Sequence, residues 1–262
     1  MSALSKSLAA RKTPILCYVT DSKGLSPATP SDLSSALVQT IATLASAGVD
    51  WIQLREKHMP ARDLSSLARE ASRQPAAQPG RERPKPCVIV NDRLDVAIAE
   101  GADGVHLGEN GLPVHEAKLF LESREAEQAA RAGLFTPTVE GPVTAPRPLV
   151  TNQPAPVNFL LGVSCHSVEG VTSAARDGAS YVFFGPVFAT PSKAGMGKPQ
   201  GVAGLAEACR SVSIPVLAIG GITLENAAAC IKAGAAGIAA IRLFQDASDA
   251  AEIVKELRQL TL

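Results

Sequence analysis

The phrase SAGVDWIQL (46–54) recurs, loosely spelled, as EGADGVHL (100–107), DGASYVFF (177–184) and AGAAGIAAI (233–241). In each copy a glycine follows a helix-like segment, where it can end the helix as the first residue beyond it, and a short β-rich run begins within a residue or two. Other apolar runs fill the intervals: ILCYVT (15–20), CVIV (87–90), FLLGVS (159–164) and PVLAIGG (215–221). Eight candidate strands result. Segments of helical spacing rich in Ala, Leu and Glu, such as DLSSALVQTIATLASAG (32–48) and ENAAACIKAG (225–234), separate most of them.

Eight strands alternating with helices are the pattern of an α/β chain folded as a (β/α)8 TIM barrel. Strands that are apolar throughout suit a parallel sheet buried on both faces. The rival, a doubly wound open sheet, lacks the GxGxxG that would follow its first strand. Residues 1–262 are expected to form a single barrel domain. One stretch breaks the rhythm: SREAEQAARAGLFTPTVEGPVTAPRPLVTNQPAPVN, 123–158. It is expected to be a Pro-rich insertion, extended or partly disordered, between helix 4 and strand 5. The polar stretch 74–86 reads as a loop before the third strand.

Of the 262 residues, 46% are hydrophobic and 19% charged, with 25 basic and 25 acidic side chains that cancel. A neutral chain has no nucleic-acid footprint and no charge to draw it to a membrane surface. The five cysteines are scattered without a CxxC pair, mostly in apolar runs, and read as reduced core thiols. No signal-type apolar segment and no run of 18 uncharged apolar residues occurs, so a cytoplasmic protein is expected. A homo-oligomer is compatible with these features but not required by them.

In a parallel barrel the chemistry sits where strands end and the following loops begin. The second strand runs into WIQLREKHMP (51–60), in which alternation would put Gln53, Arg55 and Lys57 on one face. A buried core would reject an amide and two cations, whereas a strand end aimed at an anion would use them. Lys193, after strand six, could join them to grip a charge as large as a diphosphate. Asp92, ending strand three, could hold a Mg2+ that bridges its oxygens. Strand seven ends in IGGIT (219–223), where Gly220 and Gly221 open a helix with backbone N–H groups free to face a phosphate.

Taken in order, QLREK, VNDRLD, GVHLG, GVSCHS, GPVFATPSK and AIGGIT closely resemble the thiamin phosphate synthase family and its relatives, the thiazole tautomerases. The resemblance covers essentially the whole chain outside 123–158. It implies a (β/α)8 barrel that joins hydroxymethylpyrimidine diphosphate to thiazole phosphate with release of pyrophosphate, using Mg2+. By position it implies that Gln53, Arg55, Lys57, Asn91, Ser164 and Lys193 hold the pyrimidine diphosphate and that Asp92 ligates the metal. Thr190, Ser192 and Gly221, with the backbone at Ile241 and Arg242, are implied to hold the thiazole phosphate.

The pattern departs from the family at two places. A second metal-binding Asp is usual after strand four, but the chain has Gly111 there, in Gly108-Glu109-Asn110-Gly111: either Glu109 or Asn110 takes over, or the ion is bound more weakly through waters, or the synthase step is lost. Arg242 stands where the family has Ser. The departure at Gly111 keeps a second reading open: a tautomerase needs no metal or diphosphate, and would use His166 of GVSCHS as its proton shuttle. The retained cations and Asp92 favour the synthase. A non-catalytic binding protein on the same scaffold is the third reading. His58 and His115 read as surface residues, and His106 as a packed strand residue.

Overall fold

The computed structural model describes residues 11–25, 32–74, 85–131, 159–190 and 198–262. Its strands are β1 (Ile15–Val19), β2 (Trp51–Leu54), β3 (Cys87–Asn91), β4 (Gly104–Leu107), β5 (Leu160–Cys165), β6 (Tyr181–Phe184), β7 (Val216–Ile219) and β8 (Gly237–Ala240). Each pairs in parallel with the next. β1 closes onto β8 from Ile15↔Gly237 to Tyr18↔Ala240. All eight strands coincide with the apolar runs of the sequence, and the expected barrel is the fold observed.

Helices return the chain between strands: α1 (Asp32–Ala47), α2 (Ala61–Ser72), α3 (Leu94–Ala99), α4 (Val114–Arg131), α5 (Val168–Arg176), α6 (Gly201–Ser211), α7 (Leu224–Lys232), α8 (Arg242–Gln245) and α9 (Ala250–Arg258). Strand side chains alternate between two buried faces. Leu16, Tyr18, Ile52 and Val90 pack outward under the helices, while Ile15, Cys17, Trp51, Ile89, Tyr181 and Phe183 fill the barrel interior. All five cysteines are free. No helix among the described residues is long and apolar enough to cross a membrane.

The recurring phrase has a structural meaning. Its four glycines, Gly48, Gly101, Gly178 and Gly234, all adopt positive φ, at 98°, 64°, 99° and 98°. That left-handed step, cheap only for glycine, ends the helix and aims the chain back at the sheet. Two residues later the backbone N–H donates to the preceding strand: Asp50 to the Leu16 carbonyl, Asp103 to that of Val88, Ser180 to that of Leu161 and Ala236 to that of Val216. In three copies the side chain answers. The Leu16 and Val88 N–H groups donate to the Asp50 and Asp103 carboxylates, each at 2.8 Å, and the Leu161 N–H donates to the Ser180 hydroxyl at 3.1 Å. Each such residue therefore clasps both polar groups of its neighbour and sets the register at the bottom of the barrel.

Asp50 carries more than the others. Its carboxylate also accepts from Arg11 at 2.6 Å and from Arg258 of α9 at 2.7 Å. Arg258 donates further to the Pro14 and Gly48 carbonyls at 2.6 and 2.9 Å. One acid thus ties the chain's last helix to the first two strands.

The expected insertion needs correction at its start. Residues 123–131, SREAEQAAR, are not extended but complete α4, because Ala, Glu, Gln and Arg are good helix formers and the first strong breaker is Gly133. The remainder of that insertion, 132–158, and most of the 74–86 loop lie outside the described residues.

Asp50→Ala should take the carboxylate partner from two guanidinium groups and the acceptor from the Leu16 N–H at a largely buried position. It is expected to lower the unfolding free energy by about 3 kcal/mol in urea titrations. A loss below about 1 kcal/mol would mean that the clasp does not hold the barrel floor.

Candidate active site at the barrel rim

At their C-terminal ends the interior faces of β2 to β5 change from apolar to polar. Gln53, Asn91, His106 and Ser164 lie there on four consecutive strands, and Asn91 and His106 are direct register partners. Gln53 is buried, so its amide needs partners. It donates to the Asn91 side-chain oxygen at 2.8 Å, and the Asn91 amide donates to Asp92 at 2.7 Å. The other Asp92 oxygen accepts from the Gly108 N–H at 2.7 Å. Asp92 has φ 59°, a left-handed conformation unusual for any residue with a side chain. The contacts on both carboxylate oxygens hold it there, as expected where strain serves a site.

His106 is fully enclosed and packs on Phe183 with ring centroids 4.2 Å apart. The reading of it as a packed strand residue holds but is incomplete. Its Nδ1 lies 3.1 Å from the Tyr181 hydroxyl and its Nε2 2.9 Å from the Ser164 hydroxyl. Burial, with a smaller contribution from the Arg55 charge, pushes its pKa down to about 3, so the imidazole is neutral.

The strand carrying Arg55 departs from expectation. β2 ends at Leu54, so the alternation that would align Gln53, Arg55 and Lys57 stops after Gln53. The reason lies in the neighbouring strand. The Thr20 N–H makes a ladder bond to the Gln53 carbonyl, but the Arg55 N–H donates to the Thr20 hydroxyl at 2.9 Å and the ladder is capped. Thr20 in turn donates to Glu56 at 2.6 Å. Glu56 turns inward, is buried, and also accepts from the Ser22 N–H and hydroxyl. Arg55 is left half-buried at the rim, and Lys57 is exposed in the turn beyond it.

Across the rim is an anion-suited wall. Gly220 and Gly221 have φ 95° and 67°, and a Cβ on either would come within 2.6 Å of the β6 loop, at Pro186 or the Ala189 carbonyl. Only glycine permits so close a turn. The turn leads into α7, whose first turn is fixed by a capping box between Thr223 and Asn226. Asn226 also donates to the Gly221 carbonyl at 2.9 Å. Ile241 is the N-cap of α8, and Arg242 reaches from there to the Thr190 hydroxyl at 3.4 Å. The structure thus brings together the expected phosphate residues of strands six and eight. Ser192 and Lys193 lie outside the described residues.

The metal expectation can be tested on Asp92. Among the described residues no three His, Cys, Asp or Glu side chains gather as a ligand set. A single exposed carboxylate fits Mg2+, which keeps waters and takes substrate phosphate oxygens, and would not fit a metal needing a closed protein cage. Gly111 lies beside this acid: a Cβ there would stand 3.4 Å from Asp92 Oδ1. The Glu109 carboxylate lies elsewhere, 3.7 Å from His166 Nε2, and the other nitrogen of that ring hydrogen-bonds the Gly185 carbonyl.

Three residues at the rim or beneath it escape a sequence reading. Glu56 sits between two cations and falls off the strand alternation; the signal for it is Thr20 and Ser22, hydroxyl donors just past β1 that need an acceptor. Tyr181 reads as one aromatic in the apolar run YVFF. Gln245, four residues past Ile241, accepts from the Tyr18 hydroxyl at 2.8 Å and donates to the Asp21 carbonyl at 3.1 Å, pinning the loop after β1. No local pattern marks it.

The family model described as thiamine monophosphate synthase matches residues 25–126 and 148–244. The thiamine-phosphate synthase of Methanoculleus marisnigri is 41% identical over 219 residues, covering 83% of this chain and 85% of that relative. The putative thiamine-phosphate synthase of Geobacter sulfurreducens is 37% identical over 205 residues, 78% of each chain. Among solved structures, thiamine phosphate pyrophosphorylase from Pyrococcus furiosus superposes with a TM-score of 0.62 at 29% identity, covering 94% of this chain and 95% of that one.

The neutral His106 has a signature in pH. Its folded pKa lies below that of an unfolded imidazole, about 6.5, so the unfolded chain takes up the proton first as pH falls. The stability it lends is complete above about pH 6.5 and is lost towards pH 3, at about 1.4 kcal/mol per pH unit. Urea titrations from pH 7 to 4.5 should show the wild type losing that much relative to His106→Gln. Parallel losses would mean that the folded protein protonates His106.

Proposed function

The chain belongs to the thiamine monophosphate synthase family, and on that premise we propose that its rim joins hydroxymethylpyrimidine diphosphate to thiazole phosphate, releasing pyrophosphate. It is a transferase. The observation that carries this reading is the division of the rim. One side offers a pre-paired polar arc from Gln53 through Asn91 to the Asp92 carboxylate, with the half-buried Arg55 following on the same strand end. The other offers a glycine turn, with Thr190 and Arg242 close together. Two phosphorylated substrates need two such places.

In this reading Gln53, Asn91 and Ser164 hold the pyrimidine, while Arg55, Lys57 and Lys193 receive the diphosphate. The C–O bond to the diphosphate breaks, the electron pair departs with pyrophosphate, and the thiazole nitrogen attacks the resulting pyrimidinylmethyl cation. Little covalent work falls to the protein. Its residues align the two rings and stabilise charge on the leaving group. Mg2+, held by Asp92, would neutralise part of the diphosphate charge; Glu109, the acid expected to assist, lies against His166. Thr190, Ser192, Gly220 and Gly221, with the N–H groups at Ile241 and Arg242, take the thiazole phosphate. The Gly-Gly turn supports that role because its backbone carries no side chain to block an anion.

The tautomerase reading has one observation in its favour, the approach of His166 to Glu109, an arrangement suited to proton transfer. The relatives reported above carry the synthase name, and the arc from Gln53 to Asp92 would have no task in a diphosphate-free isomerisation.

Purified protein given both substrates and Mg2+ should form thiamin phosphate and pyrophosphate. Isomerisation of a thiazole carboxylate phosphate without this product would replace the synthase by the tautomerase, and binding without either reaction by a carrier role. Arg55→Ala and Lys193→Ala are each expected to cut turnover by about 10–100-fold with an unchanged unfolding midpoint. Rates within twofold of wild type would remove these cations from the diphosphate site. Gly111→Asp should supply a carboxylate beside Asp92 and lower the Mg2+ concentration for half-saturation, in both turnover and a direct calorimetric titration. An unshifted titration would place the ion elsewhere.

A further inference from the structure

A line of polar groups crosses the barrel beneath the rim, from the Tyr181 phenol through His106 to Ser164. It is built into the fold. Tyr181 and Gly162 are register partners on β6 and β5, and a Cβ on Gly162 would fall 2.1 Å from the Tyr181 ring carbon that bears the hydroxyl. Gly162 is thus the gap through which the phenol reaches β4. His106 is in turn the register partner of Gly162 on that side. Phe183 and Trp51, with ring centroids 4.2 Å from His106 and 4.7 Å from Tyr181 respectively, wall the line against water.

The direction of the protons follows from the donors and acceptors present. A buried phenol has one proton to give, and among the described residues His106 Nδ1 is its only hydrogen-bond partner. Were Nδ1–H to donate instead, the phenol proton would be left without an acceptor in an apolar interior, at a cost of about 1–3 kcal/mol. The phenol therefore donates to Nδ1, and the neutral imidazole carries its proton on Nε2. That N–H donates to Ser164 Oγ. The serine oxygen has accepted, so its own proton is left to point towards the half-buried mouth. Burial that raises the Tyr181 pKa and lowers that of His106 keeps both links neutral and the direction single.

We propose that Tyr181 and His106 are positioning residues that present Ser164 to the pyrimidine substrate as a hydrogen-bond donor, so that the site selects an acceptor atom of the ligand at that point. This rests on the assignment of Ser164 to the pyrimidine diphosphate. The chain of bonds is a property of the protein without substrate, and the two can be tested apart.

The experiment pairs nitrogen NMR of His106 in the ligand-free protein with binding and kinetics. In the wild type Nε2 should be the protonated nitrogen. In Tyr181→Phe, which keeps the ring and removes the donor, the Nδ1–H form should gain population. The same variant should bind hydroxymethylpyrimidine diphosphate about fivefold to tenfold more weakly, as one net hydrogen bond predicts, with an unchanged KM for the thiazole phosphate. His106→Gln, whose amide can still donate towards Ser164, should recover most of the affinity that His106→Leu loses. A protonated Nδ1 in the wild type overturns the proposal. So does Tyr181→Phe with wild-type affinity, or equal losses for both substrates. The expected tautomers and affinities in a protein that forms no thiamin phosphate would uphold the donor chain and overturn the reaction assigned above.

Discussion

Closure of the sheet between β1 and β8 is the constraint on which the rest depends. Once Ile15 to Tyr18 pair with Gly237 to Ala240, no edge remains and eight strand ends meet at a single rim. Closure also removes water from the interior, so every inward polar group must find a protein partner or open towards the rim. At the floor this requirement is met by the clasps of Asp50, Asp103 and Ser180 on the neighbouring strands. At the rim it is met by side chains that partner one another.

The rim inherits its organisation from that requirement. Gln53 can be buried because Asn91 accepts from it, and Asn91 is oriented because Asp92 accepts in turn. Glu56 has the same relation to Thr20 and Ser22 and fixes the point at which β2 stops being a strand. Such networks favour a rigid site, since a buried polar group that loses its partner bears its full desolvation cost. Donors fixed in advance are the condition under which electrostatic stabilisation of developing charge is most effective.

The strands were legible because burial on both faces leaves a strong residue signature, as in CVIV and YVFF, and the turns because glycine at a positive φ has few substitutes. The helix over 123–131 was less legible, because its good helix formers run without a break into the Pro-rich stretch after Gly133. At the rim, the positions of Gln53, Asn91 and Asp92 were legible from their place at strand ends. Glu56 was not, because its role depends on donors 34 and 36 residues away. Tyr181 was not, because an aromatic in an apolar run looks the same whether or not its hydroxyl has a partner.

Local sequence, then, determined what depends on local chemistry: the strands, the left-handed glycine steps, the alternation into a (β/α)8 barrel, and the residue types gathered at strand ends. Only the tertiary structure decided which of those residues touch. The pairing of Arg242 with Thr190, of Glu109 with His166, and of Tyr181 with Ser164 through His106 joins different strands or the loops between them. Contacts of that kind are set by the register of a closed sheet, and no short stretch of sequence contains that register.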